Sequence, residues 1–262
     1  MKLSISNIGW AEENEVAVYT MMKNYGFTGL EIAPTRIFPE QPYSNLEQAR
    51  IWADKLKSEN GFLVPSMQSI WYGRTEKLFG TDEESAVLVD YTKKAIDFAE
   101  AVGCKNLVFG CPRNRNIPNG ADKNIAIKFF KEIGDYAAEH GTVVGMEANP
   151  PIYNTNYIND TLSALELIKK VDSEGFKLNL DVGTMVENGE AVDILKGRES
   201  LINHVHVSEP GLKPIEERQI HCDLCDLLKD CNYKGFVSIE VGKQEKIEDL
   251  EKMMKYVEEI FG

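Results

Sequence analysis

Short apolar runs alternate with stretches of helical period along almost the whole chain. The runs are Lys2–Ser6, Thr28–Ile32, Phe62–Met67, Asn106–Phe109, Val143–Glu147, Lys177–Asp181, His204–Val207 and Phe236–Val241. Between them, apolar residues recur at i, i+3, i+4 and i+7 over Leu46–Ser58, Glu83–Ala101, Lys123–Glu139, Leu162–Val171, Ile215–Leu228 and Ile247–Ile260. In Lys123–Glu139, for instance, Ile125, Ile127, Phe129, Phe130, Ile133 and Ala137 stand against Lys128, Lys131, Glu132 and Asp135. Several runs are announced by a glycine (Gly26, Gly103, Gly141, Gly175, Gly235), which suits the left-handed residue that ends a helix. Strands that alternate with helices pair in parallel through right-handed crossovers. Eight such units predict an α/β protein closed as a (β/α)8 TIM barrel, with residues 1–262 as one domain. A Rossmann fold is the competing arrangement, but no G-x-G-x-x-G follows the first run.

The composition is that of an ordinary soluble protein, 43% apolar and 27% charged, so a sizeable core is available. The formal net charge of −13 sets an expectation of no nucleic-acid partner, because backbone binding needs clustered Lys and Arg. The opening MKLSISNIGW is too short and polar in its apolar part for a signal sequence, and no run nears the roughly 18 apolar residues of a membrane span. A cytoplasmic protein with no membrane partner is expected. Five scattered cysteines (Cys104, Cys111, Cys222, Cys225, Cys231) fit reduced thiols. Cys222 and Cys225 form a lone C-x-x-C with no second ligand pair, and read as two positions of a helix.

Chemistry concentrates at the ends of the late strands. Val143–Met146 leads to Glu147, Leu178–Leu180 to Asp181, Val205 to His206, and Val237–Ile239 to Glu240. In a barrel of this kind the strand ends converge on one mouth, where the active site lies. Three carboxylates alone there would repel one another and force one pKa upward. A divalent cation removes that conflict, and the donor set suits Mn2+, Mg2+ or Co2+ and accepts Zn2+. His204 lies on the same side of its strand as His206, one layer deeper, and is expected to support it from behind.

At these residues the sequence resembles the xylose-isomerase-like sugar phosphate isomerase/epimerase superfamily. The resemblance rests on Gly29–Pro34, Phe109–Arg115, Met146–Pro151, Leu180–Gly183, His204–Pro210 and Val237–Glu240, in that order. It implies one divalent metal ion held by Glu147, Asp181, His206 and Glu240. It implies further that Glu147 and Glu240 act as an acid/base pair on a sugar or sugar phosphate, moving a proton beside a carbonyl through a cis-enediolate. The epimerases also carry a His three residues after the Asp and an Arg about six after the metal His. Here those positions are Thr184 and Leu212. Three other readings share the constellation: dehydration of a keto-cyclitol, a non-catalytic sugar-binding barrel, and metal-assisted phosphodiester hydrolysis. The last needs extra His ligands, and the chain has four His in all. Barrels of the family also pair into homo-oligomers.

Around the mouth, Arg115 is expected to contact substrate, with Arg113 a weaker candidate on the same loop. Gln68, Trp71, Tyr72 and Arg74 after the third run and Trp10 after the first are candidates for a sugar-holding wall. Glu31 is expected to bond a substrate hydroxyl or pair with an Arg, and Asn149 to orient its loop and meet the substrate. His221 is expected on a helix surface.

Overall fold

The structure is a computed structural model describing residues 1–262. Its strands are β1 (Lys2–Ser6), β2 (Phe27–Glu31), β3 (Leu107–Phe109), β4 (Val144–Met146), β5 (Phe176–Asp181), β6 (Ile202–Val207) and β7 (Phe236–Ile239). All are parallel, in the order β2-β1-β7-β6-β5-β4-β3. Nine helices surround them: α1 (Glu15–Asn24), α2 (Pro34–Ile37), α3 (Leu46–Asn60), α4 (Asp82–Val102), α5 (Asn124–Glu139), α6 (Thr161–Val171), α7 (Val182–Asn188), α8 (Gln219–Asp230) and α9 (Ile247–Phe261).

The gap between β2 and β3 is filled by residues 62–67. Leu63 N–H donates to Thr28 (2.9 Å) and Leu30 N–H to Leu63 (2.8 Å) on one side. On the other, Met67 N–H donates to Asn106 (2.9 Å) and Val108 N–H to Met67 (2.8 Å). The sheet therefore returns on itself as a TIM barrel, with bridges rather than a regular strand at this one position. Pro65 is the cause: it has no N–H to give, and a continuous ladder cannot pass through it. Its ring also presses on β2, where a Cβ on Gly29 would lie 2.8 Å from it and 2.7 Å from Ser4 Cβ.

Helix boundaries follow local chemistry. Thr81 and Glu84 form a capping box at the start of α4, and Gly103 ends it at φ 72°. Asp160 caps α6 through Ser163 N–H at 2.7 Å. Gly26 and Gly141 also have positive φ, as the helix-ending reading requires. Gly175 and Gly235 do not; they are small for space, since a Cβ on Gly175 would meet Gly134 O and one on Gly235 would meet Tyr233. The expected helix Ile215–Leu228 begins only at Gln219, because Arg218 before it is extended (φ −136°). α1, the single-turn α2 and the two-turn α7 carry no clear periodic signal.

The core runs through both layers, from Leu3 on β1 to Phe261 on α9. Its densest part lies between α5 and the sheet. Phe130 stacks on Phe176 at 4.7 Å and meets Phe109 and Phe129 edge-on at 4.9 and 5.4 Å. Ile125, expected on the inner face of α5, is instead 39% exposed near the start of the helix. No helix is long and apolar enough to cross a membrane, and all five cysteines are free.

Removing the ring of Phe130 would leave a cavity that three neighbouring rings cannot close. Phe130→Ala is expected to lower unfolding stability by about 3–5 kcal/mol, measured by urea titration. Truncating the exposed Val16 (80%) on α1 should change it by less than about 0.5 kcal/mol.

Candidate active site at the barrel mouth

Register brings the late strand ends together. Asp181 pairs with His206 across β5 and β6, and His206 with Ser238 across β6 and β7. Glu240 lies two residues beyond Ser238 and so returns to the same side. Glu147, just past β4, is anchored by its N–H to Phe109 O at 3.1 Å. One donor atom from each of Glu147, Asp181, His206 and Glu240 lies within 4.8 Å of the others. His206 Nδ1 is 3.0 Å from Glu147 Oε1 and 3.3 Å from Glu240 Oε2.

Each of these side chains is held by neighbours. Asp181 doubles as the N-cap of α7, accepting from Thr184 N–H at 2.6 Å, and Ser208 Oγ donates to its carboxylate at 2.9 Å. Glycine at 183 keeps that arrangement open, since a Cβ there would lie 2.7 Å from Ser208 Oγ. Glu147 accepts from Asn179 (2.8 Å) and Asn149 (3.2 Å). Glycine at 110 leaves it room: a Cβ would sit 2.9 Å from Glu147 Oε2. On the far side of His206, Nε2 is 2.8 Å from Glu31 Oε2. Glu31 also accepts from Gln68 Nε2 (3.3 Å), which donates in turn to Ser6 Oγ (2.8 Å). His204 Nε2 lies 3.2 Å from the same Glu31 oxygen, outside hydrogen-bond geometry.

Burial sharpens the electrostatics. It pushes the Asp181 carboxyl up to about 8, with Glu147 and Glu240 adding to the effect. Burial raises Glu240 as well, against the pull of His206. Burial alone would raise Glu31, yet His206 and His204 hold it well below the usual carboxylate range. His206 is raised well above an ordinary imidazole, because Glu31 and Glu240 outweigh the burial that opposes its charge. Burial lowers His204, with Glu31 pulling the other way.

Several of the expected wall residues bond to the protein itself. Arg115 is fully buried and donates to Glu147 O (2.9 Å), Asn149 Oδ1 (2.9 Å) and Ile158 O (3.2 Å). Its guanidinium ties the loop after β4 together instead of facing the mouth. Trp71 donates to Thr92 Oγ1 at 2.8 Å and packs edge-on against Phe109 and Phe129, a core position. Glu31 is fully buried and pairs with His206 rather than with an Arg, and Gln68 donates to it. Trp10 is buried, with Nε1 unpaired. Asn149 is almost buried between Arg115 and Glu147. Tyr72 is exposed, Arg74 pairs with Glu76, and Arg113 is exposed. His221 is buried, against expectation, with Nδ1 2.8 Å from Tyr256 Oη between α8 and α9. Thr184 donates to Ala148 O at 2.8 Å, and Leu212, at φ 54°, accepts from Gly242 N–H at 2.9 Å.

The sequence reading missed Asn179, Ser208 and Tyr153. Asn179 and Ser208 are each two residues from a site residue on the same strand or its extension, so period 2 was the available signal. Tyr153 sits on the loop after β4 and accepts from Gly211 N–H at 2.9 Å, bridging two mouth loops. Burial pushes its hydroxyl up to about 12, helped by Asp181, Glu240 and Glu147 nearby.

A family model described as xylose isomerase-like TIM barrel matches residues 20–260. No curated protein matches the chain significantly. Among solved structures, a 3-keto-D-glucoside 4-epimerase from E. coli is similar at TM-score 0.76 and 20% identity, covering 98% of both chains. A D-psicose 3-epimerase crystallised in the presence of D-fructose is similar at 0.79 and 16% identity, covering 100% of both. A protein described as AP endonuclease, family 2, from Brucella melitensis is similar at 0.73 and 20% identity, covering 98% of both. At these identities the likeness is one of fold.

The raised Asp181 has a consequence for stability. The unfolded chain ionises this group near 3.8 and the folded chain near about 8, so between those values the folded state holds more protons. The contribution of Asp181 to stability then falls as pH rises through that window. Asp181→Asn keeps a capping side chain at α7 but removes the charge. In a metal chelator, urea unfolding should show wild type losing stability toward the alkaline end and the variant losing less. Equal slopes would show that Asp181 is not the group responsible.

Proposed function

The chain belongs to the xylose isomerase-like TIM barrel family, and we propose that within it the protein is a metal-dependent isomerase or epimerase of a sugar or sugar phosphate. The observation that carries this reading is the convergence of Glu147, Asp181, His206 and Glu240 within 4.8 Å at the C-terminal ends of β4 to β7. Two buried carboxylates and the half-buried Asp181 beside one buried imidazole are a donor set for a hard or borderline divalent ion. Burial raises Asp181, with Glu147 and Glu240 adding to the effect, and a bound cation would oppose that rise. Glu147, Asp181, His206 through Nδ1, and Glu240 would hold Mn2+, Mg2+, Co2+ or Zn2+. Bound there, the ion supplies a Lewis acid that makes a C–H beside a carbonyl more acidic.

The chain's own groups divide the remaining work. Glu147 and Glu240 come from β4 and β7, with the Asp181 and His206 strands between them. One carboxylate removes the proton from the carbon beside the carbonyl; the other returns a proton to the opposite face and inverts the centre. Asn149 and Asn179 fix the Glu147 carboxylate at both oxygens, so its reach is set before substrate arrives. Tyr153 and the loop it bridges to Gly211 would cover the bound sugar. The resemblance to epimerase structures supports this reading through the shared fold.

Phosphodiester hydrolysis with extra metals fits the site less well. Of the four histidines, His140 lies at the outer end of α5 against Glu100, and His221 lies between α8 and α9. Only His204 and His206 face the barrel interior near the ring. We propose no nucleic-acid partner.

A panel of ketoses, aldoses and their phosphates, incubated with metal-loaded protein in D2O, tests the proposal. Deuterium should appear at one carbon beside the carbonyl together with a new isomer. Glu147→Gln and Glu240→Gln should each slow this by about 10²–10⁴-fold. Full exchange in both variants would remove the acid/base pair from the account.

A further inference from the structure

The inner face of the ring contains a carboxylate that no substrate can touch. Glu31 has no exposed surface, and its Oε2 lies 2.8 Å from His206 Nε2. It comes from β2, separated from β6 in the sheet by β1 and β7, so it reaches His206 through the barrel interior. Gln68 donates to its other oxygen at 3.3 Å, and His204 lies against Oε2 at 3.2 Å. A charged carboxylate so deeply buried must be paired or it costs several kcal/mol. Its partner here is a residue of the metal-binding ring.

We infer that Glu31 is a positioning residue that fixes which nitrogen of His206 faces the other three ligands. This rests on the metal site proposed above. An ionised carboxylate only accepts hydrogen bonds, so the nitrogen facing Glu31 must carry the proton. That nitrogen is Nε2. When the ring is neutral, Nδ1 is left with its lone pair, and Nδ1 is the atom 3.0 Å from Glu147 and 3.3 Å from Glu240. Glu31 thereby sets the tautomer and the rotation of His206 before an ion arrives, and strengthens the ring as a donor. Gln68, just after residues 62–67 and anchored on Ser6, holds Glu31 in turn. His204, itself buried, packs against the same Glu31 oxygen at 3.2 Å. The H-x-H pair thus has one ligand and one supporting ring, joined through a carboxylate from the opposite wall.

The test compares wild type, Glu31→Gln and Glu31→Leu, with Zn2+ as the probe. Affinity is read by competition with a chromophoric chelator. Tautomers are read from long-range 1H–15N spectra of protein labelled at histidine, where four imidazoles are to be resolved. The expected wild-type spectrum of the Zn2+ form has the His206 proton on Nε2 and the metal on Nδ1. Glu31→Leu should bind Zn2+ roughly 10–100-fold more weakly. Glu31→Gln, which still offers an oxygen to Nε2–H, should keep the tautomer and lose less. Ligation through Nε2 in wild type overturns the inference and is readable even if Glu31→Leu does not fold. So does a folded Glu31→Leu that binds as tightly as wild type. A wild-type protein that takes up no Zn2+ strikes instead at the metal site itself.

Discussion

The structure is organised around a repulsion. Glu147, Asp181 and Glu240 are brought together in a largely buried space around one imidazole, and three carboxylates cannot all remain charged there without a cation. Folding energy does not favour such a ring by itself, as the upward shifts of Asp181 and Glu240 show. It persists because β4 to β7 are fixed by ladder hydrogen bonds and by the aromatic packing of α5 on the sheet. The barrel is the rigid frame, and the ring is the strained place that the frame holds ready.

A second layer keeps that ring in shape. Ser208 and Thr184 N–H hold Asp181, Asn149 and Asn179 hold Glu147, and Glu31 meets His206 from the inside. Arg115 belongs to this layer, binding the backbone of Glu147 and the side chain of Asn149 at once. Two glycines, Gly110 and Gly183, are part of it by what they lack, since a Cβ at either would press on a site side chain.

Much of this was legible in the sequence. Apolar runs that end in Glu, Asp, His and Glu reveal both the strands and the mouth, because a barrel places all strand ends on one face. The parts that were not legible share a physical reason. Period 2 says which side of a strand a residue takes, but at the rim of a barrel the inner side is partly core and partly cavity. Arg115, Trp71, Gln68 and Glu31 were therefore expected at a substrate, and their bonds to Glu147 O, Thr92, Ser6 and His206 could not be read from spacing. A chain cannot display how far the next loop covers it. Pro65 reduced one expected strand to bridges for a local reason that was visible, while the start of Ile215–Leu228 is extended at Arg218, which periodicity does not show. Thr184 and Leu212, where the resemblance leads one to expect His and Arg, have ordinary structural bonds here to Ala148 and Gly242. Under the proposed function, a grip on substrate would come from other mouth groups.

The central claim is that one divalent ion completes the ring. The most direct measurement is a crystal structure of the protein grown with Mn2+, with anomalous scattering recorded near the manganese edge. The account predicts a single strong peak bounded by Glu147, Asp181, Glu240 and Nδ1 of His206. An empty ring at saturating Mn2+, or a peak among Glu31, His204 and His206 instead, would contradict it.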